Sequence, residues 1–253
     1  MRLYLLCVVT LWCLVPTVSV AAEDTDSEVS ETARLLAILL DSGRVAIGRN
    51  QALINDPAGA QTAFTQELFA AQTAAIFKER TGHNVNDLPN ASMPALAKRL
   101  LERLLLESKK TVESYQPVLT MKGLKYKGLI PATFGTETAT RFQKWSGVYL
   151  KQTAPEHLLR NAGNKPDSFE AEHMKALSEA SFQGNAGTVI SKIDGKNSVR
   201  VLLPLFYEKT CLSCHGEPKG ERDISGYPKE GGKEGQLGGA ISVKLDMSQL
   251  AGR

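Results

Sequence analysis

The first half of the chain carries apolar residues at the three- and four-residue spacing of amphipathic helices. Leu35, Leu36, Leu39 and Leu40 form one such stripe, and Asn55-Asp56-Pro57 ends it. The pattern predicts three helices, over residues 31–54, 64–80 (ended by Gly82) and 94–115. The acidic residues 23–30 ahead of them lack this pattern, and we predict that they form a disordered leader.

The second half alternates short helical and strand-like segments. We predict a β-like run over 124–130, helices over 136–145 and 169–182, and strands over 148–153, 188–193, 198–203 and 240–245. Asp194-Gly195 between two of these strands is a strong hairpin signal. The fold class is therefore predicted as α+β, with long N-terminal helices followed by an antiparallel sheet. We divide the chain into residues 1–22, a helical region over 23–120 and a sheet region over 121–253.

A turn-rich loop over 160–167 leads into the helix predicted for 169–182. Asp167 and Glu170 stand three residues apart at its start, which is the spacing of a capping pair. We assign these two carboxylates to capping rather than to catalysis.

The N-terminus has the pattern of a secretory signal. Arg2 precedes an apolar run from Leu3 to Val15, and small residues close the segment at Ala21-Ala22. We predict cleavage near Ala22 and a periplasmic protein whose mature form does not span the membrane. An uncleaved anchor is the weaker alternative, because a spanning helix needs about 20 apolar residues and Pro16 interrupts this run.

Charge gives no reason to expect nucleic acid or an anionic membrane as a partner. Removal of residues 1–22 takes away one of 30 basic side chains and none of 27 acidic ones, so the mature chain stays almost balanced. Cysteine usage says more, because Cys7 and Cys13 leave with the signal and Cys211 and Cys214 remain. A disulfide across a two-residue gap closes almost no loop, so scaffold stability does not explain this pair.

The pair belongs to the segment Cys211-Leu212-Ser213-Cys214-His215, which has the Cys-x-x-Cys-His form of c-type haem attachment. In such a segment both thiols reach the two vinyl groups of one porphyrin edge, and the histidine lies under the iron. We therefore predict one covalent haem c, with His215 as the metal ligand.

Three other interpretations of the segment have weaker support. A zinc knuckle wants two further ligands at short spacing, and His83, His157 and His173 are all far upstream. A thioredoxin-like pair would begin a helix, whereas this one runs into Gly216, Pro218 and Gly220. A plain surface disulfide gives no reason for the histidine.

Longer strings around this segment resemble the Tll0287-like haem family. They are CLSCHGEPKGE at 211–221 and GYPKEGG at 226–232, with KGLIPA at 127–132, LKQT at 150–153, INDP at 54–57 and a spaced match over 160–170. The resemblance runs over essentially the whole mature chain. It implies a PAS-like α+β domain preceded by a long helix, with the haem held against the sheet. Relatives resemble sensors, some with signalling regions downstream. Since Ala251-Gly252-Arg253 ends this sequence, we expect it to signal through a partner.

The cofactor-binding set predicted from the motif and the resemblance is Cys211, Cys214, His215, Arg160, Asn161 and Tyr227. For Arg160 and Asn161 a second role stays open, that of tying the loop that positions the next helix. The glycines over 226–239 would allow a flat ligand to approach the backbone closely. Nearby cations either pair with the propionates or are merely solvated: Arg222, Lys229 and Lys233.

The sixth position on the iron is left open by the sequence. Its candidate ligands, each with an ordinary structural alternative, are His157, His173, Met93, Met121, Met174 and Met247. An open position that binds a diatomic gas is equally compatible. We predict a redox or gas sensor, with a monohaem electron carrier as the alternative. A homodimer through the helical half is compatible with both. An enzyme would need distal acid–base groups that no pattern marks, so we expect none.

Overall fold

The structure, a computed structural model, describes residues 20–59, 64–179, 190–194 and 198–246. The helices are α1 (Val20–Arg49), α2 (Gln51–Ile54), α3 (Gln66–Thr81), α4 (Ala95–Leu119), α5 (Pro131–Ser146), α6 (Ser168–Glu179) and α7 (Leu212–His215). The strands are β1 (Tyr149–Thr153), β2 (Ile190–Asp194), β3 (Ser198–Phe206) and β4 (Leu237–Asp246). Short 3-10 turns cover Leu88–Asn90, Glu156–Leu158, Ala162–Asn164 and Lys209–Cys211. Within these ranges no helix is long and apolar enough to cross a membrane.

Helix α1 begins earlier than the sequence pattern indicates. The leader over 23–30 was predicted to be disordered, and this prediction is wrong, because α1 already includes these residues. Val29 is buried in the core, and the Thr32 hydroxyl donates to the Glu28 carbonyl at 2.8 Å. Once a helix is nucleated, each further residue adds one hydrogen bond. The packed turn at Val29 can therefore carry the helix back into an acidic segment. Most of the predicted signal, residues 1–19, lies outside the described residues.

The other predicted helices are present, with bounds shifted by a few residues. Helix α3 ends where Gly82 adopts a left-handed conformation with φ 77°, as its position predicted. Helix α4 continues past Tyr115 to Leu119, with Pro117 in its last turn. Helix α5 begins at Pro131 rather than near residue 136, because proline suits the first helical position.

The β-like run predicted over 124–130 is not a strand. The Lys127 amide donates to the Asn55 side chain at 3.0 Å, and the Lys127 ammonium donates to the carbonyls of Asp56 and Leu119 at 2.7 and 2.6 Å. Gly128 has φ 78°, which a strand does not accommodate. The segment is a loop fastened to the ends of α2 and α4.

The four described strands form one antiparallel sheet in the order β1-β4-β3-β2. Strands β2 and β3 pair with Asp194 opposite Ser198, as the hairpin signal predicted, although residues 195–197 lie outside the described ranges. The register of β3 against β4 shifts at Leu205/Phe206. Such irregularities are common beside functional sites, where they redirect the chain.

Helix α1 lies at the centre of the molecule and contacts α3, α4, α5, β3 and β4. Its leucines pack with the sheet side chains Val199, Val201, Leu203, Ile241, Val243 and Leu245 in one continuous core. Gly43 allows its close approach to α5, since a Cβ there would lie 2.7 Å from the Phe134 ring. The opposite face of the sheet packs against α6 in a smaller cluster.

The predicted capping pair at the start of α6 is confirmed. The Glu170 amide donates to Asp167 Oδ1 at 2.9 Å, and the Asp167 amide donates to Glu170 Oε2 at 3.0 Å. Arg200 on β3 donates to Asp167 Oδ2 at 2.7 Å. The pair therefore ends the turn-rich loop and fastens α6 to the sheet.

Candidate functional site

The Cys-x-x-Cys-His segment lies in the connection between β3 and β4. It occupies the Lys209–Cys211 turn and α7, and its two cysteines stand three residues apart on helical backbone. This spacing places both side chains on one face. Both thiols are free and partly exposed. Burial raises the pKa of the Cys214 thiol.

The His215 ring is held on two sides. Glu230 Oε2 lies 2.9 Å from Nδ1, and the Tyr207 ring stacks on the imidazole with centroids 5.0 Å apart and planes 21° apart. Because an ionised carboxylate only accepts hydrogen bonds, Nδ1 carries the proton and the Nε2 lone pair is left for another partner. Burial and the Arg160 cation lower the pKa of His215 despite the opposing charge of Glu230, which favours this neutral form.

The glycine-rich segment closes over the histidine from the other end of the connection. The Gly232 amide donates to the His215 carbonyl at 2.6 Å. A Cβ on Gly232 would lie 2.7 Å from Cε2 of Tyr207, so a side chain at this position would displace the ring that stacks on His215. Gly232 therefore serves the packing of protein against protein, and the predicted approach of a flat ligand to the glycine backbone stays a prediction.

Arg160 joins the segments around the histidine. Its guanidinium donates to Glu230 through Nε at 2.7 Å and Nη2 at 3.0 Å, to Asp223 Oδ2 at 2.7 Å and to the Cys214 carbonyl at 2.9 Å. The same group lies 5.4 Å from the centroid of the Tyr227 ring. One side chain from the 160–167 loop therefore fixes the backbone of the thiol segment and both acidic residues.

The two carboxylates that Arg160 binds are ionised. Burial alone would raise the pKa of Asp223, but hydrogen bonds from Ser225 and Arg160 outweigh it and hold the pKa below its usual value. For Glu230, hydrogen bonds from Arg160 and His215 outweigh burial in the same way and lower the pKa. Asp223 also organises its own turn, because Oδ1 accepts from the Ser225 and Tyr227 amides.

A cavity of about 1100 Å³ lies beside this cluster. Tyr207 and Glu230, which both contact the His215 ring, line it, together with apolar residues such as Phe206 and Leu237. His215 and the two cysteines do not line it. Because the two ring nitrogens of an imidazole diverge, Nε2 faces away from Glu230.

The thiol side of the segment has different neighbours. The Lys209–Cys211 turn contacts α1. Burial, together with the nearby charges of Asp223, Cys214 and Tyr227, raises the pKa of Tyr126. Of the large apolar side chains that the described structure leaves exposed, Ile224 and Tyr227 lie in the loop that follows Asp223, and Tyr227 also lines the cavity.

Five of the six predicted cofactor-binding residues lie together, namely Cys211, Cys214, His215, Arg160 and Tyr227. Asn161 is not with them, since its exposed side chain accepts from the Gly163 amide at 2.9 Å and caps the Ala162–Asn164 turn. Of the two roles left open for this pair, Asn161 has the loop role, and a haem-lining role of Arg160 stays a prediction. Arg160 reaches the site, and Asn161 shapes the loop.

Sequence reasoning missed Glu230, Tyr207, Asp223 and Tyr126. Glu230 lies in the GYPKEGG string, but no local pattern pairs it with a histidine fifteen residues away. Asp223-Ile224-Ser225-Gly226 is a recognisable turn signature, so the role of Asp223 in its loop had a signal. Tyr207 and Tyr126 carry no sequence signal, because the chain meets them only through the tertiary fold.

The candidate sixth ligands are dispersed. Met174 is buried in the α6 cluster and Met93 packs against the main core. The His173 Nδ1 lies 2.8 Å from the Phe169 carbonyl, on α6. His157 lines the cavity on the Glu230 side, and Met121 is exposed on the loop that precedes Tyr126. Met247 lies outside the described residues.

The loop cations proposed for propionates already have protein partners in two cases. Lys229 lies 2.6 Å from Glu221, and Arg222 donates to the Gly226 carbonyl at 2.6 Å. Both therefore stabilise the loop over 220–229.

The donor set fits a covalently held haem on chemistry seen in this structure. Two free thiols on one face stand beside an imidazole whose Nδ1 is bonded to a carboxylate and whose Nε2 has no hydrogen-bond partner among the described residues. A zinc knuckle needs four ligands of the Cys, His or carboxylate type. Across the described ranges, no three such side chains converge on one point.

Comparison with known proteins agrees with the resemblance seen in the sequence. The family model described as "Tll0287-like" matches residues 22–245. Among solved structures, the crystal structure of the cyanobacterial heme-protein Tll0287 matches at 17% identity and a TM-score of 0.40, covering 58% of this chain and 91% of that chain. No curated protein matches. Because the family model spans most of the chain, the protein belongs to the Tll0287-like family.

Proposed function

We propose that this protein carries one haem c, bound covalently through Cys211 and Cys214 and ligated by Nε2 of His215. The observation that carries the proposal is the Glu230–His215 hydrogen bond of 2.9 Å beside two free thiols. A carboxylate on the second ring nitrogen is the usual companion of a histidine that binds a metal. Membership of a family that includes a heme-protein supports the same cofactor.

Attachment needs no oxidant. Each thiol adds its S–H across a vinyl double bond, so that a C–S bond forms, the double bond becomes single and the hydrogen ends on the other vinyl carbon. Exposure of both cysteines leaves them accessible to maturation factors. The export signal over residues 1–22 supports a periplasmic location, where such attachment takes place in bacteria.

A bound haem supplies one-electron chemistry and, if its sixth position is open, affinity for diatomic gases. The residues of this chain hold and orient the group. His215 would provide the imidazole, and Tyr207 and Glu230 fix its rotation.

For the haem-bound protein we propose the function of a redox or gas sensor of PAS-like architecture that acts through a partner. The supporting observation is a chain of contacts that starts at the thiol segment. The Lys209–Cys211 turn contacts α1, and α1 packs against three helices and the sheet. A change at the thiol segment therefore has a direct mechanical path to the longest helix.

A monohaem electron carrier is the second candidate. It is favoured by the partial exposure of both thiols, since a haem attached there would keep an accessible edge, which suits electron exchange with a partner protein. An enzymatic role finds less support. The Arg160 guanidinium is held by Glu230 and Asp223 behind the histidine, where it cannot serve as a distal catalytic cation.

Absorption spectra of protein exported from a host with c-type maturation machinery would test both parts of the proposal. Covalent haem should remain on a denaturing gel of the natural protein and be lost from the C211A/C214A double variant. Full retention by the double variant would contradict the attachment. On reduction, a spectrum that shifts with carbon monoxide supports the sensor, whereas a sharp spectrum that does not respond favours the carrier.

A further inference from the structure

Arg160 and His215 share one carboxylate. We propose that Arg160 is a positioning residue that sets the reduction potential of the haem by drawing charge from Glu230 and so weakening the pull of Glu230 on the His215 Nδ1 proton. The inference rests on the proposed function, in which His215 ligates the iron through Nε2.

The geometry makes the sharing specific. Glu230 Oε1 accepts from Arg160 Nε at 2.7 Å, and Oε2 accepts both from Arg160 Nη2 at 3.0 Å and from His215 Nδ1 at 2.9 Å. This is the two-point contact of a planar guanidinium with a carboxylate, which a lysine ammonium cannot reproduce. Glu230 Oε2, which accepts from His215 Nδ1, therefore also accepts one of the two hydrogen bonds from the Arg160 guanidinium.

The sign of the effect follows from the charge on that oxygen. A carboxylate that accepts only from Nδ1–H draws the proton toward itself, which makes the imidazole a stronger electron donor and favours oxidised iron. The Arg160 fork neutralises part of the carboxylate charge, so the imidazole donates less and the potential stays higher.

Arg160 cannot move aside to release Glu230. Its Nη1 binds Asp223, whose side chain has no exposed surface, and its Nη2 also donates to the Cys214 carbonyl. The guanidinium is thus fixed to the backbone of the segment that holds the haem. Any movement of the 160–167 loop would reach Glu230 and the proximal histidine together.

The test is a spectroelectrochemical titration of the haem-loaded protein and four single variants. E230Q keeps an acceptor for Nδ1 without charge and should raise the midpoint potential. R160Q should lower the potential. R160K keeps the charge but loses the fork and should shift the potential in the same direction as R160Q, by less. K175Q removes an exposed cation on α6 that pairs with Glu179 and does not contact Glu230, and it should leave the potential unchanged.

The double variant R160Q/E230Q distinguishes an effect that Arg160 exerts through Glu230 from a direct effect of the Arg160 charge on the potential. If Arg160 acts through Glu230, the double variant matches E230Q. A further drop as large as that of R160Q alone would mean a through-space charge effect and would overturn the proposal. Unchanged potentials in R160K and E230Q would overturn it as well, and these two variants serve if R160Q does not fold.

The two proposals fail in different ways. If the natural protein holds no haem on a denaturing gel, the proposed function fails. If all variants retain haem and their potentials do not follow the predicted order, the attachment stands and only the role of Arg160 is wrong.

Discussion

The apolar core around α1, called the frame below, and the cluster around His215, called the site, are held together by different interactions. The core consists of buried leucines, valines and phenylalanines from every part of the chain. The His215 cluster has four charged or titratable side chains linked by hydrogen bonds of 2.7 to 3.0 Å, and it is built on loops. Apolar burial tolerates rearrangement, whereas a hydrogen-bonded charge network requires every partner in place. The frame should therefore resist small changes that the site does not.

The largest expected effect is in the frame. Phe134 on α5 is fully buried and packs on Phe69 with ring centroids 5.1 Å apart. Phe134→Ala should lower the free energy of unfolding by about 3–5 kcal/mol, because it leaves a cavity between α1, α3 and α5. Urea denaturation would measure the loss. The exposed residue Leu68 offers the control, since Leu68→Ala should change the free energy by less than about 0.5 kcal/mol. A similar loss in both variants would contradict the central position of α1.

A smaller effect is expected from one added methyl group, and it should depend on the region. Gly232→Ala places a Cβ against the Tyr207 ring and 3.0 Å from the His215 carbonyl, and should cost about 1–3 kcal/mol and reduce haem loading. Gly48→Ala in α1 meets only Pro131 at ordinary contact distance and should stabilise the protein by about 0.5–1 kcal/mol. Thermal unfolding and haem content would be compared. Equal behaviour of the two variants would remove the contrast between frame and site.

The smallest effect is expected at the capping pair of α6. Asp167→Ala should cost about 1 kcal/mol at neutral pH through loss of the cap. Asp167→Asn keeps the cap and removes only the charge that faces Arg200, so it should cost less than about 1 kcal/mol.

The pH dependence of this variant has a definite sign. Burial alone would raise the pKa of Asp167, but the Glu170 amide and Arg200 outweigh it and lower the pKa below 3.8. A lowered folded-state pKa means that the carboxylate stabilises the protein above about pH 4 and loses this effect as pH falls through the folded value. The difference between Asp167→Asn and the natural protein should therefore vanish at low pH. A difference that grows with acid would contradict the Arg200 pairing.

The sequence predicted the frame better than the site, for physical reasons. Helices and strands depend on periodic patterns that a single segment displays, and α3, β1 and β4 were all anticipated. The predictions of a disordered leader over 23–30 and of a strand over 124–130 were wrong. The first segment is ordered by packing at Val29, and the second by hydrogen bonds to Asn55 and Asp56. The core residues that surround Val29, and the residues Asn55 and Asp56, lie outside the segments whose structure they determine.

The residues of the site likewise divide into those that a local motif predicts and those that only the tertiary fold brings together. Cys211, Cys214 and His215 are adjacent in sequence, so their motif is local and could be read directly. Glu230 meets His215 across a fifteen-residue loop, and Arg160 meets Glu230 across seventy residues. The family resemblance pointed to Arg160 without giving its partners. It also named Asn161, whose side chain has a purely local role.

Intact-mass spectrometry of the exported protein under denaturing conditions shows directly whether a haem is attached to Cys211 and Cys214. We expect a single species with the mass of the chain cleaved near Ala22 plus one haem, reduced to the chain mass alone in the C211A/C214A double variant. A natural protein at the bare chain mass, produced beside a c-type cytochrome that matures normally in the same cells, would contradict covalent attachment.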